Sequence, residues 1–382
     1  MKMIDIHTIL KKKTELLCKG VYLSEEFLEV YRSRGIDINF GRKGGAGPLG
    51  GRYFFLEDGE TLVNVALWND KKKSNLTLKD WSDGYFEVYD EREKGFFCKM
   101  ELIPEPKFYN KLTSDGIEMK KIALVHGYDC LSSTIYQKCK YWACGEACKF
   151  CGIELSLAYG TTILEKNYKQ MNEVIAAAME EGRCNHMTLT SGTTEESDKG
   201  AKRYIELLKG IRKEYPDLPL HIQIEPIDDL SYLEKLKDAG ADTIGIHIEI
   251  LDEFLREIIT PGKAKIPNDQ FKKSWERAID IFGKNQVETY ILTGFGESPN
   301  DFIDSLEEVV SIGVIPYITP VRAIPGVKST IPIMNHNTLL EIYSLAAKMM
   351  KKYNVNPLEH KAGCVKCGGC SAINEAYKAQ LN

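Results

Sequence analysis

Seven of the eleven cysteines in this 382-residue chain fall in two short stretches: Cys139, Cys144, Cys148 and Cys151, then Cys364, Cys367 and Cys370. Such clustering in a large chain without a secretory segment points to metal or redox chemistry rather than to a disulfide framework. Cys144-Gly-Glu-Ala-Cys148-Lys-Phe-Cys151 is a C-x3-C-x2-C motif. Soft thiolates suit iron, and a loop of this length wraps a cuboidal iron–sulfur core. Three ligands leave one iron of a [4Fe-4S] cluster open, free to chelate a small molecule and pass it an electron. Cys139, Cys148 and Cys151 form a second possible ligand set, and the shorter loop closure favours Cys144 over Cys139. A zinc knot with Cys139 as fourth ligand and an ordinary electron-carrying cluster are the rivals.

Cys364-Val-Lys-Cys367-Gly-Gly-Cys370-Ser371 is a C-x2-C-x2-C motif in a glycine-rich loop. It predicts a second, auxiliary [4Fe-4S] cluster whose fourth ligand is Ser371, a spare cysteine or the substrate, with zinc as the rival. Cys18, Cys98, Cys130 and Cys184 stand alone and read as small buried hydrophobes.

The elements that must position these loops alternate from Lys121 onward. Lys121–Gly127 reads as a first strand, followed by the cysteine loop and a helix through Met171–Met179. Strands then fall at His186–Thr190, His221–Glu225, Thr243–Glu249, Val287–Thr293 and Val314–Thr319, separated by helical patterns. A last helix carries Leu339, Tyr343, Ala346 and Met350 on one face. This order predicts an α/β fold with a parallel sheet, a partial or full TIM-type barrel. Polar residues alternate with apolar ones along the strands, as in His221, Gln223 and Glu225 against Ile222 and Ile224. Helices cover the apolar face, so the polar face lines the lumen, which is a site rather than a filled core. Three units are expected: an N-terminal α+β accessory domain over 1–118, the barrel over 119–355 and a cysteine-rich tail over 356–382. The glycine-rich run Arg42–Arg52 lacks the ending of a phosphate loop and reads as a flexible hairpin, with a substrate or nucleotide clamp as the alternative.

The chain is 43% hydrophobic with a net charge of -5 and interspersed charges. That balance argues against nucleic acid or an anionic membrane surface as partner. No apolar run is long enough to span a bilayer, and the N-terminal residues lack a secretory pattern, so a cytoplasmic location is expected.

From about Lys121 to the C-terminus the sequence resembles the radical S-adenosylmethionine superfamily, and within it the biotin synthase and lipoyl synthase-like members. The resemblance implies that Cys144, Cys148 and Cys151, with Phe150 before the last of them, hold a catalytic cluster that cleaves S-adenosylmethionine to a 5′-deoxyadenosyl radical. Thr190–Thr194 occupies the place of the motif that binds the methionine amino group, implicating Ser191, Gly192 and Thr193. Gly245–Asp252 looks like the polar end of the fourth strand, implicating His247 and Glu249, and Glu225 joins the same cofactor site. Tyr290–Glu297 partly matches G-x-I-x-G-x-x-E, with Tyr290 in place of the first glycine. Ile324–Gly326 resembles the strand end where adenine packs, and Arg322 nearby is expected to meet a carboxylate.

The chain is also similar to the barrel proteins of two-component, archaeal-type lipoyl synthases and to radical enzymes of nitrilase gene clusters. It departs from standard lipoyl synthase, whose auxiliary cysteines precede the barrel. What the resemblance implies is a sulfurtransferase: the radical removes a hydrogen from an unactivated carbon and the auxiliary cluster supplies sulfur. An octanoyl chain on a lipoyl-domain carrier protein is the expected substrate. An electron donor such as ferredoxin or flavodoxin and a companion radical subunit are the expected partners. Two alternatives stay open: a radical enzyme for a small nitrogenous metabolite with a structural or electron-relaying auxiliary cluster, and a non-catalytic iron–sulfur carrier.

Overall fold

The computed structural model describes residues 4–33, 51–80, 85–322 and 334–381. Most of the glycine-rich run and all of Ile324–Gly326 lie outside them. Helix α1 (Ile6–Lys19) begins where the Asp5 carboxylate accepts the Thr8 N–H, and it buries Ile9, Leu10, Leu16 and Leu17. Short strand β1 (Val21–Tyr22) and helix α2 (Glu25–Ser33) follow. Strands β2 (Gly51–Leu56), β3 (Leu62–Trp68), β4 (Leu76–Asp80), β5 (Tyr85–Asp90) and β6 (Gly95–Leu102) close with β1 into a small barrel, in the order β1-β3-β2-β6-β5-β4. Period-two alternation fills its interior: Val63, Val65, Phe86, Val88, Cys98 and Met100 are all buried.

After helix α3 (Met119–Ile122), strands β7 (Leu124–His126) and β8 (Cys130–Thr134) form an antiparallel pair. Six parallel strands then lie side by side in chain order: β8, β9 (His186–Thr190), β10 (Leu220–Ile224), β11 (Thr243–Ile246), β12 (Val287–Thr293) and β13 (Ile315–Pro320). β13 and β7 are the outer strands, so the α/β fold is a curled, open half-barrel rather than a closed one. The expected first barrel strand, Lys121–Gly127, is corrected. Its first residues form α3, Gly127 turns the chain at a φ of 59°, and the segment runs antiparallel to the true first parallel strand. That strand escaped hydrophobic patterning because Ser132, Ser133 and Thr134 are buried polar residues.

Helices α4 (Lys140–Ala143) and α5 (Ile153–Ala158) flank the first cysteine cluster. Helices α6 (Tyr168–Glu180), α7 (Ala201–Glu214), α8 (Ser231–Asp238), α9 (Glu253–Ile259), α10 (Asn268–Phe282) and α11 (Pro299–Ile312) connect the later strands. Asn167 and Gln170 form a reciprocal capping box at the start of α6. Helix α12 (His336–Lys352) leads into α13 (Gly363–Cys367) and α14 (Ile373–Ala379). α14 packs against both α1 and α12, which also touch each other. The Lys13 ammonium donates to Glu375 at 2.8 Å and to the Gly368 carbonyl at 2.9 Å, both contacts buried. The tail is thereby fastened to the first helix.

Candidate active site

Beyond β8 the chain runs beside the end of β9. The Ile135 N–H donates to Thr190, Gly192 donates to Tyr136, and Lys140 donates to Thr193, at 2.8, 2.9 and 2.8 Å. Ser191, Gly192 and Thr193 therefore form a backbone rail for the cysteine loop. Their approach is so close that a Cβ on Gly192 would stand 1.9 Å from the Lys138 carbonyl oxygen. Cys139 is fixed at the head of the loop, its N–H donating to Glu154. Cys144 is exposed, with its sulfur 3.7 Å from both the Tyr141 carbonyl and the Glu146 carboxylate. Cys148 and Cys151 turn inward, and burial pushes the Cys151 thiol up to about 11. Lys263 is an electrostatic neighbour of Cys139, Cys148 and Cys151 alike. Phe150 packs against Phe295 at 6.4 Å between ring centres. The Phe295 loop is itself held by Glu297, whose carboxylate accepts the Gly294 and Phe295 N–H groups.

Below this loop lies a buried polar floor. Glu225 is 5% exposed. It accepts the Tyr141 hydroxyl at 3.1 Å, and its other oxygen has no hydrogen-bond partner among the described residues. Tyr141 keeps its position because Gly262 leaves room for its ring: a Cβ there would stand 2.1 Å from it. Glu249 pairs with Lys263 at 2.6 and 2.7 Å. Burial alone would lower the Lys263 ammonium, but Glu249, Glu225 and Cys148 raise it well above an ordinary lysine. Glu249 adopts a φ of 55°, in the left-handed region, and is held there by backbone bonds to Tyr290 and Leu292. The His247 Nδ1 accepts the Tyr290 N–H at 3.1 Å, so its proton sits on Nε2, which has no partner among the described residues. Burial depresses that imidazole to about 3, keeping it neutral. Glu225, His247, Glu249 and the cysteine loop thus converge on one chamber. Lys263 and Tyr141 belong to it too, although no local pattern in the sequence marks either.

Arg322 stands elsewhere. Its guanidinium donates to the Asn64 side chain and carbonyl on β3, and Cys370 is among its electrostatic neighbours. It lies with the tail cysteines and not with the Glu225–His247–Glu249 group.

The tail enters the half-barrel itself. The Gly363 N–H donates to His186 Nδ1 at 3.1 Å, and Gly363 lies against His221, where a Cβ would meet the ring at 2.4 Å. Gln223 donates to the Cys364 sulfur at 3.6 Å. The Cys370 N–H donates to the Tyr317 hydroxyl, its carbonyl accepts from Thr319, and its sulfur lies 3.7 Å from the Tyr53 hydroxyl. Asn64 donates to the Gly369 carbonyl at 2.7 Å, so the small barrel closes the chamber from the side. Burial raises the Cys364 and Cys370 thiols. Cys367 goes the other way, held below its ordinary value first by a hydrogen bond from Cys130. Cys130 is therefore no isolated hydrophobe. It is 1% exposed, at the start of β8, and its sulfur lies 3.4 Å from the Thr188 hydroxyl. Ser371 is fully buried, donates to the Ile318 carbonyl and accepts the Ile373 N–H.

No three His, Cys, Asp or Glu side chains among the described residues converge as a site for a single metal ion. An iron–sulfur cluster asks for less convergence, because each thiolate binds a different iron. Both cysteine groups offer soft donors beside buried polar atoms, on Glu225 and Glu288, that lack partners among the described residues. On that chemistry they fit such a cluster.

Residues 142–309 match the family model described as the radical SAM superfamily. The match contains Cys144, Cys148, Cys151, the Ser191–Thr193 rail, Glu225, His247 and Glu249; it begins after Cys139 and ends before Arg322 and the tail. The family implies a [4Fe-4S] cluster and S-adenosylmethionine. Among curated relatives, the chain is 26% identical over 248 residues to the bacteriochlorophyllide c C-7(1)-hydroxylase of Chlorobaculum limnaeum, covering 59% of this chain and 61% of that protein. It is 30% identical over 168 residues to the biotin synthase of Aquifex aeolicus, covering 43% of this chain and 48% of the other. It is 24% identical over 170 residues to the lipoyl synthase of Bacillus mycoides, covering 44% and 53%. The chain thus spans about half of the latter two and 61% of the first. No helix among the described residues is long and apolar enough to cross a membrane.

Proposed function

We propose that this radical SAM enzyme inserts sulfur at an unactivated carbon, using two clusters that face one lumen. The observation that carries this reading is the seating of Cys364, Cys367 and Cys370 inside the half-barrel, beside strands whose far ends carry the first cysteine group. A substrate lying between the two groups would meet both. A cluster on Cys144, Cys148 and Cys151 would supply the electron that cleaves the sulfonium, and one on the tail cysteines would supply the sulfide. Cys144 is favoured over Cys139 because the family match begins after Cys139.

The chain's own residues do the positioning. Glu225 offers one oxygen without a partner to the amino end of the cofactor. Lys263, held charged by Glu249, compensates the thiolates of the loop. The Ser191–Thr193 rail fixes the loop against the floor. His247 presents an N–H toward the lumen and stays neutral across the physiological range. An octanoyl chain delivered by a lipoyl-domain carrier, with ferredoxin or flavodoxin as electron donor and a companion radical subunit, is the substrate and partner set that fits this reading.

Anaerobic reconstitution with iron and sulfide, followed by S-adenosylmethionine and dithionite, tests it. The expected products are 5′-deoxyadenosine and a thiolated octanoyl group, with loss of acid-labile sulfide from the protein. Formation of 5′-deoxyadenosine with unchanged product yield in Cys364→Ala would remove the donor role and leave a relay or structural role for the tail.

A further inference from the structure

We infer that Cys130 is the fourth protein ligand of the iron–sulfur cluster held by Cys364, Cys367 and Cys370. The inference rests on the lumen cluster proposed above and specifies its coordination.

Four thiols meet in one chamber. Cys130 hydrogen-bonds to Cys367, and Cys364 is its next electrostatic neighbour. Cys364 in turn has Cys367 and Cys370 beside it. Three of the four ride on the tail, whereas Cys130 comes from the first residue of β8 and is 1% exposed. Its neighbour Thr188 stands on the adjacent strand β9, so the thiol faces the lumen side, where the tail lies.

The surroundings point to a guest rather than to packing alone. Gly127, just before Cys130, could not carry a side chain: its Cβ would stand 2.9 Å from the Cys367 sulfur. Gly369 is similarly constrained by the Tyr53 ring at 2.7 Å. Glu288, fully buried, is an electrostatic neighbour of Cys364; one of its oxygens lies 3.0 Å from His221 Nε2, and the other has no hydrogen-bond partner among the described residues. A well-packed apolar filling would not leave such a group unsatisfied.

The other candidate ligand is spoken for. The Ser371 hydroxyl is turned onto the β13 backbone, donating to Ile318 and accepting from Ile373. Four thiolates complete the coordination of a cubane, one for each iron. Binding releases the Cys130 proton to solvent and exchanges no electron. Anchoring one ligand on a strand also ties the tail to the barrel wall once iron is present.

The test uses the full chain with Cys139, Cys144, Cys148 and Cys151 all replaced by alanine, so that only the lumen can hold iron. After anaerobic reconstitution this background is expected to retain about four irons per chain and to show the electron paramagnetic resonance signal of a reduced cubane. Adding Cys130→Ala is expected to speed iron loss to a chelator by at least about tenfold and to change the signal. Cys130→Ser, which preserves volume and offers an oxygen ligand, is expected to fall between and carries the test if the alanine variant does not fold. Cys184→Ala, at a buried cysteine outside the chamber, is expected to behave as the background. If Cys364→Ala loses iron while both Cys130 variants keep the background's iron content, chelation rate and spectrum, the assignment of Cys130 is wrong and the lumen cluster stands. If the background itself binds no iron, the lumen cluster falls and the assignment with it.

Discussion

Replacing Gly192 with alanine should separate the cysteine loop from its rail. The new methyl would stand 1.9 Å from the Lys138 carbonyl oxygen and 2.5 Å from the Lys138 carbonyl carbon. That is about 1.5 Å inside ordinary contact, and both atoms are backbone, so no side chain can swing aside. The two segments must part, and the Gly192-to-Tyr136 and Lys140-to-Thr193 hydrogen bonds are the ones that stretch. Overpacking of this kind costs about 1–3 kcal/mol, and each lost hydrogen bond adds about 1 kcal/mol, so a loss of roughly 3–5 kcal/mol is expected. Moving the loop by about an ångström should also slow 5′-deoxyadenosine formation by about a hundredfold. The assay pairs urea unfolding of the iron-free chain with the initial rate of the reconstituted protein. Gly95→Ala serves as comparison, because the nearest atom to its Cβ is 3.7 Å away. Equal unfolding midpoints and equal rates in the two variants would refute the close approach as the device that positions the loop.

Lys263→Met strands the Glu249 carboxylate in a buried site and should lower stability by about 3–5 kcal/mol; adding Glu249→Gln should recover most of it in a double-mutant cycle, and additive losses would rule the pairing out. Buried His247 and His360 are depressed to about 3 and about 4. Above pH 6.5 both are neutral whether folded or not. As pH falls from 6.5 toward 4 the unfolded chain takes up protons that the native chain refuses, and each should remove about 2 kcal/mol by pH 5. Unfolding at pH 7 and pH 5 measures this, and a His247→Gln, His360→Gln variant with the same pH slope would contradict it. Lys13→Met removes the ammonium that holds Gly368 and Glu375, so the tail thiols of the iron-free chain should react faster with a thiol-alkylating reagent, and an unchanged rate would show the tail fastened by other contacts.

What the sequence shows about this site follows from how local each feature is. The Cys144–Cys151 and Cys364–Cys370 spacings are properties of single loops, and the alternation of β9 to β13 with their helices is written in short-range periodicity. The opening of the barrel is hard to read because three of the five residues of β8, Ser132, Ser133 and Thr134, look like a loop. Cys130 looked solitary because its partner thiol arrives from the opposite end of the described chain. Lys263 sits in a lysine-containing turn that resembles any solvated surface, and only the tertiary fold turns it onto Glu249. Arg322 was expected at the cofactor because of its place after β13, yet Asn64, on a separate sheet, claims its guanidinium.

The contact between Lys13 and Glu375 joins positions 362 residues apart. A ribosome would release the first helix long before the helix that buries its lysine. Until then one flank of α1 has no cover. Closure across so long a separation is slow, because loop entropy must be overcome before the contact returns anything. The nascent chain therefore passes through a stage in which Cys130 and the strands that cover the tail thiols are not yet enclosed.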